Sequence, residues 1–347
     1  MLPSFPRAVR VAAMFVLAGA GAVSPALAQG SAGTLVNLSS RIRVPDGGTP
    51  AIVGCAVSGS GQRTLLIRAV GPGLAPFGVT GTLGDPRLTV YDSNQRIIAT
   101  NDNWDAGGAG ATVAAAGAGV GAFGLTAGSR DAAALVTVPA GSYSIHVAGA
   151  DAGGGVALIE LYAVGSDGPR LVNLSVRGFA GTGADTLTVG FAGRGTPRTL
   201  LVRAVGPTLA AFGVGGTLAD PQVRLFDGQQ QRIAENRDWG RAADPAGLAA
   251  ATTTVGAFAL GAGSTDAAMI PLVNAGSYTV EVADERGGTG EALVEVYDVS
   301  AGDPYFSNRT SLLGNWGIAA TAPPGPVVLT HAPMAPADLA EILPTGL

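Results

Sequence analysis

The sequence predicts an all-β protein: two tandem antiparallel β-sandwich domains, jelly-roll-like in strand number, behind a secretory signal. Three observations predict it. The chain repeats itself at a nearly fixed offset; its apolar segments are short and rich in β-branched residues; and 54 glycines and 22 prolines punctuate a chain of 347 residues.

The N-terminus comes first. Arg7 and Arg10 precede an apolar run from Val11 to Val23, and Ala26-Leu27-Ala28 closes it before Gln29, the three-part layout of a cleavable signal peptide. The run falls short of the roughly 20 residues that a bilayer core demands, and Pro25 follows it. Residues 1–28 therefore read as a leader. The mature chain is expected to be secreted or held at the cell surface, with the periplasm as the other compartment, and to insert into no membrane.

The duplication organises the rest. At an offset of 135, 19 of the 24 residues from Arg63 to Pro86 recur identically in Arg198 to Pro221. The register continues through Trp104 with Trp239, Asp131 with Asp266, Gly141-Ser142-Tyr143 with Gly276-Ser277-Tyr278, and Glu160 with Glu295. Upstream the offset is 136, pairing Leu35 to Ser39 with Leu171 to Ser175; Ser58-Gly59-Ser60-Gly61, which reads as a turn, absorbs the slip. One β-sandwich repeat thus occupies 33–165 and a second 169–300, each expected to bury its own apolar strand faces. Pro304, Phe306 and Asn308 match Pro169, Leu171 and Asn173, so 304–347 reads as a truncated third repeat running into a Pro- and Ala-rich tail.

Within the first copy the strand candidates are 35–39, 51–57, 64–70, 87–91, 96–100, 132–138, 142–148 and 156–164, separated by Gly, Pro, Asp or Asn. A short helix is expected in each copy where Ala111 to Ala116 and Ala246 to Ala251 are alanine-rich. Gly71-Pro72 to Val79 and Gly206-Pro207 to Val214 read as crossovers whose Phe77 and Phe212 plug the sandwich.

Charges that recur among apolar neighbours call for partners, because an isolated buried ion costs several kcal/mol. Arg68 and Arg203 are such charges, as are Glu160 and Glu295. The expected ion pairs are Arg68 with Glu160 or Asp131, and Arg203 with Glu295 or Asp266; the other reading puts these heads in solvent at a sheet edge. Trp104 follows Asn101-Asp102-Asn103 and Trp239 follows Asn236-Arg237-Asp238. Two roles stand for these indoles, a lid on the core or a sugar-stacking platform with Asn101, Asn103, Asn236 and Asp238 as polar partners. Asp92, Asn101 and Asp102 are the candidate oxygen ligands for calcium, although Arg237 replaces Asp102 in the second copy. No other cofactor is implied.

Chemistry is otherwise thin. The net charge of −5 removes the basic footprint of a nucleic-acid binder. His146 aligns with Glu281, and His331 lies in the tail, so no histidine recurs as a general base. Cys55, the one cysteine, aligns with Phe191 and reads as a small core hydrophobe. No serine stands in a Gly-x-Ser-x-Gly elbow, and no spacing offers a zinc site. The expectation is a non-enzyme.

The strings Leu65 to Pro72, Phe77-Gly78-Val79, Asp85-Pro86, Tyr91-Asp92, Asn101 to Trp104, Gly121-Ala122-Phe123, Asp131-Ala132-Ala133 and Gly141-Ser142-Tyr143 resemble an uncharacterised module. That module recurs in tandem in large secreted bacterial proteins, and the match spans nearly all of 33–300. The Asp-bearing strand, Asn/Asp loop and Gly-Ser-Tyr strand are also similar to bacterial prepeptidase C-terminal domains, β-sandwich accessories of secreted enzymes. The resemblance implies export and non-catalytic accessory work, and carries over no binding residues. Three functions follow: a structural or adhesive surface module, a carbohydrate-binding accessory domain using the Trp104 and Trp239 loops, and a glycoside hydrolase with a carboxylate pair. The partner is expected to be an extracellular or cell-surface protein or polysaccharide.

Overall fold

The computed structural model describes residues 33–300; the leader at 1–28 and the third-repeat segment at 304–347 lie outside the described residues. The fold is mostly β. The first copy contributes β1 (Thr34–Val44), β2 (Ala51–Val70), β3 (Pro86–Asp92), β4 (Ile97–Asn101), helix α1 (Gly110–Val120), β5 (Ala132–Gly149) and β6 (Gly155–Val164). The second contributes β7 (Arg170–Ala180), β8 (Leu187–Arg194), β9 (Arg198–Val205), β10 (Pro221–Asp227), β11 (Arg232–Asn236), helix α2 (Pro245–Thr254), β12 (Ala267–Met269), β13 (Leu272–Val273), β14 (Gly276–Asp284) and β15 (Gly290–Asp298). All pairings between these strands are antiparallel.

Two pairs of expected strands are single strands here. Residues 51–57 and 64–70 join in β2, and 132–138 and 142–148 join in β5. Between Val57 and Gln62 the register against β5 shifts, and Gly59 and Gly61 take φ of 120° and 87°. Such a bulge lets both strands bend from one sheet into another. The Gly-Ser-Gly turn expected at 58–61 is therefore a corner inside a continuous strand.

Following the hydrogen bonds with the halves of β2 and β5 taken separately gives two runs. One reads β11-β10-β14-β8-β1-β6, then the C-terminal half of β2 and the N-terminal half of β5; the other reads β4-β3, the C-terminal half of β5, the N-terminal half of β2, then β7-β15-β9-β12. Both runs cross from one copy to the other. Leu38 of β1 lies opposite Phe191 of β8, and its counterpart Leu174 of β7 lies opposite Cys55 of β2. Leu35 and its own counterpart Leu171 face each other. This is the self-complementary pairing of an approximate twofold axis.

The expectation that each copy closes its own core is thereby corrected. One hydrophobic cluster runs through both copies, from Leu35, Val53 and Ile67 to Val189, Val202 and Val294. The physical reason is that β1 and β7 each take one edge partner from the other copy, so neither half can bury its first strand alone. The outer faces carry smaller clusters. Leu66, Ala133 and Tyr162 pack under Trp104 and Val113 of α1; Leu201, Ala268 and Tyr297 pack under Leu248 of α2. The segment between β4 and β5, with its counterpart between β11 and β12, is thus a cover laid over the sheet. No helix among the described residues is long and apolar enough to cross a membrane.

Candidate functional site

The residues that recur most insistently lie under that cover. In β2, Leu65, Ile67 and Ala69 face the central core, so Leu66, Arg68 and Val70 face outward beneath it. In β6, Ile159 and Leu161 face inward, and Leu158, Glu160 and Tyr162 face outward. Arg68 and Glu160 are direct cross-strand neighbours, as are Arg203 and Glu295.

The two pairs are buried. Arg68 Nε lies 3.2 Å from Glu160 Oε2 at side-chain exposures of 2% and 1%, and Arg203 Nη2 lies 2.8 Å from Glu295 Oε2 at 0% and 2%. The alternative of heads reaching solvent at a sheet edge is excluded by those values. Tyr162 donates to Glu160 Oε1 at 2.6 Å, and Tyr297 donates to Glu295 Oε1 at 2.5 Å. Burial, together with the neighbouring carboxylate, pushes the Tyr162 hydroxyl well above its ordinary range and keeps it a donor. Above each guanidinium stands a ring: Arg68 Cζ is 4.4 Å from the centroid of Phe123, and Arg203 Cζ is 4.5 Å from that of Phe258. Arg203 Nη1 also donates to the Phe258 carbonyl at 2.7 Å. A second ring continues the stack outward, with Phe77 edge-on to Phe123 at 5.3 Å and Phe212 edge-on to Phe258 at 4.9 Å. Carboxylate, guanidinium and two rings thus form one column from sheet to surface, twice.

This column corrects the role expected for Phe77 and Phe212. Phe77 is 39% exposed and does not plug the sandwich. The sequence showed Gly-Ala-Phe recurring at 121–123 and 256–258 but gave that phenylalanine no task; a recurrent aromatic matched to a recurrent buried arginine was the available signal.

Asp131 and Asp266 are not partners of the arginines. Asp131 Oδ1 accepts from the N–H groups of Gly71 at 2.8 Å and Gly73 at 3.1 Å, and its Oδ2 accepts from Ser129 Oγ at 2.8 Å. Asp266 accepts from Gly206 N at 2.8 Å, from Ser264 Oγ at 2.6 Å and from the Thr208 hydroxyl. Each aspartate thereby ties the turn after Gly71 or Gly206 to the cover. Those glycines are required there: a Cβ on Gly71 would sit 2.0 Å from the Leu83 carbonyl oxygen, and one on Gly206 2.1 Å from that of Leu218.

Trp104 is 6% exposed; its indole N–H donates to Thr126 O at 3.1 Å and its backbone N–H to Asp131 O at 2.8 Å. Trp239 is half-buried, donates from Nε1 to Gly261 O and Ser264 Oγ at 3.2 Å each, and packs against the outer cluster that holds Leu201, Leu248 and Tyr297. Trp104 offers no open ring face, which corrects its assignment as a sugar platform. Asn101 and Asn236 are likewise spent inside the fold: their Oδ1 atoms accept from Ala133 N at 2.9 Å and Ala268 N at 3.0 Å, and their amides donate to the carbonyls of Asn103 and Asp238. Asn103 donates to Asp102 Oδ1 at 3.2 Å, and Asp238 sits 3.6 Å from Arg241.

The calcium set does not converge. Asn101 lies opposite Leu88, four residues before Asp92 on β3, which separates the two by about 13 Å at roughly 3.3 Å per residue; calcium ligands sit within about 2.6 Å of the ion. Asp92 instead accepts from Asn94 N at 2.8 Å and Arg96 N at 3.0 Å in the β3–β4 turn, and those bonds with the Arg96 guanidinium hold its carboxyl below the usual range against desolvation, the largest opposing effect. Among the described residues no group of three or more His, Cys, Asp or Glu could hold a metal ion. Burial pushes the Cys55 thiol up to about 12 and, with Arg177 nearby, the His146 imidazole down to about 4.

No protein-family model and no curated protein matches the chain. Among solved structures, the VP2 subviral particle of infectious bursal disease virus aligns over 86% of this chain and 79% of that one, at 8% identity and a TM-score of 0.16.

Proposed function

We propose that the chain is an exported, non-catalytic structural or adhesive module in which two repeats build one jelly-roll-like sandwich and present its edges to an extracellular or cell-surface partner. The observation that carries this reading is the inward use of the recurrent polar and charged side chains. Arg68, Glu160, Asp131, Asn101 and Trp104 and their counterparts point into the cover and the sheet in both copies, as selection for a rigid scaffold rather than for a site would leave them. The outermost strands support the adhesive side of the reading. Among the described residues β4 pairs only with β3 and β11 only with β10, and both present isoleucines to solvent, Ile97 at 61% exposure and Ile233 at 46%. An open edge with apolar side chains is a pairing surface.

The test is retention of the purified chain on protein-coated and polysaccharide-coated surfaces, beside an Ile97→Lys/Ile233→Lys variant and a Trp239→Ala variant. The reading expects the lysine variant to lose retention while its melting curve holds, with no soluble product released from any polysaccharide. Retention on polysaccharide that disappears in Trp239→Ala would instead favour carbohydrate binding, and released sugar would favour a hydrolase.

A further inference from the structure

The two copies differ at one end of their seam, and there the surface opens into a cleft of about 300 Å³ lined by both copies. Arg41 and Arg43 of β1 come to it from the first copy, with Phe77 and the turn that follows it; Phe179 of β7 and Asp185 come from the second. Two phenylalanines stand partly in solvent there, Phe77 at 39% and Phe179 at 41%. Arg41, Arg43 and Asp185 are the charged residues that line it, two cations to one carboxylate. Burial lowers the pKa of Arg41 and the Asp185 charge opposes that, so the Arg41 head lies partly out of water within reach of Asp185's field.

The counterpart corner shows what the cleft lacks. There Arg177 takes the place of Arg41 and lies 3.9 Å from Glu291, diagonally placed on the neighbouring strand opposite Phe179, where the first copy has Val156 opposite Arg43. Phe179 stands where the first copy has Arg43. The second corner carries its own counter-charge from the strand beside it; the first has exchanged that carboxylate for an apolar side chain and added a second cation. We propose that the cleft between Phe77 and Phe179 binds a small aromatic anion, a one-ring carboxylate whose ring lies against the phenylalanines and whose charge meets Arg43 and Arg41. The volume is at the lower end for small-molecule sites, which suits one ring and a short arm and excludes a polysaccharide chain. The site goes beyond the structural reading above and does not depend on it.

The test titrates the full chain with 3-phenylpropionate and with 3-phenylpropanol, its neutral analogue of the same shape, following amide shifts by NMR. The acid is expected to move residues 41–43, 77–81, 179 and 185–186 saturably, and the alcohol to bind about tenfold more weakly, the loss of one charge-assisted contact. Arg43→Gln should weaken the acid by a similar factor, Phe179→Ala should weaken acid and alcohol alike, and Asp185→Asn should tighten the acid about threefold by removing a like charge. Phe212→Ala at the counterpart corner should change nothing. Equal binding of acid and alcohol, weakening in Asp185→Asn, shifts centred on Phe212, or no saturable shift at all would each overturn the proposal; only the charge-dependent pattern sustains it, and a variant that merely misfolds is recognised by its dispersed spectrum collapsing, in which case the acid-to-alcohol ratio on the unsubstituted chain decides.

Discussion

The corner of the first copy and the corner of the second solve one problem in two ways. In the first, β2 runs unbroken through Ser58–Gln62. In the second, the equivalent chain stops at Arg194 and resumes at Arg198, with Gly195 at φ of 79° and Pro197 between them. The arginine that follows each corner is the same by alignment and has different work. Arg63 donates to the carbonyls of Val164, Gly165, Gly168 and Pro169, gripping the link between the copies, while Arg198 pairs with the buried carboxylate of Asp298. The inner faces on either side nevertheless stay in one core. The difference teaches that strand continuity at the corner is dispensable, and that the exchange of β1 and β7 between copies is what both halves hold in common.

The columns offer the largest break of that equivalence. Arg68→Ala and Arg203→Ala each leave a buried carboxylate without its cation, a change worth about 3–5 kcal/mol. If the copies are equivalent where their geometry recurs, the two losses should agree to within about 1 kcal/mol in denaturant unfolding, allowing for context. Arg68→Met joined with Glu160→Gln, which keeps an acceptor for Tyr162, should recover more than half. A gap above about 2 kcal/mol between the two arginines would show one column to be structural and the other not. The indoles sharpen the same comparison. Trp104→Ala should cost about 3–5 kcal/mol as a buried aromatic truncation, and half-buried Trp239→Ala distinctly less. Equal losses would mean that the second cover is packed more tightly than its exposure indicates.

Much of this was legible in the sequence, for reasons that also mark where legibility stopped. Alternation along Leu65 to Val70 tells which side chains share a face, and repetition tells that Arg68 needs a partner; neither tells which chain segment lies next door. Leu35 to Ser39 reads the same whether β1 pairs with its own copy or with the other, so the exchange across the seam was invisible. The choice between Glu160 and Asp131 as the partner of Arg68 is not in the sequence, because a recurrent carboxylate near a recurrent arginine suggests charge pairing even where, as at Asp131, the nearer demand is the N–H groups of the turn at Gly71 to Gly73. Asn101 and Trp104 leave both roles open in sequence, lid or sugar platform, because polar residues beside an indole look the same whether the ring is capped by Thr126 or open to solvent. The cleft is legible only where the copies differ: Arg43 opposite Phe179 in the alignment, and Val156 opposite Glu291, are its signal.

A smaller effect separates the copies by pH. His146 and Glu281 occupy one aligned position and titrate in opposite senses. Burial, with Arg177 near, lowers His146 to about 4, so the folded state binds fewer protons than the unfolded one between about pH 6.5 and 4 and stability falls as pH falls through that window. The full loss is up to about 3 kcal/mol. Burial raises Glu281 against the pull of Arg224, so the folded state holds its proton more readily than the unfolded one, and acidification relieves a cost present at neutral pH. His146→Gln should therefore flatten the fall in melting temperature between pH 6.5 and 4, and Glu281→Gln should raise stability near pH 7 and remove the partial compensation on acidification. A His146→Gln variant with an unchanged slope would assign the acid sensitivity elsewhere.

The smallest expected effect tests the seam itself. Residues 165–168 are exposed; apart from the grip of Arg63 on the carbonyls of Gly165 and Gly168, the strand pairing between the copies runs along β1 with β8 and β2 with β7. A protease site inserted at Ser166 and cut in the folded protein should thus leave the halves together, eluting as the intact chain, with the melting temperature lowered by a few degrees and newly dependent on concentration. Concentration dependence is the discriminating readout, because two self-sufficient sandwiches would separate on the column and melt identically at any dilution. Separation would return the fold to two closed domains and leave the shared core as a contact between them; cohesion would make the pair of copies the unit that folds.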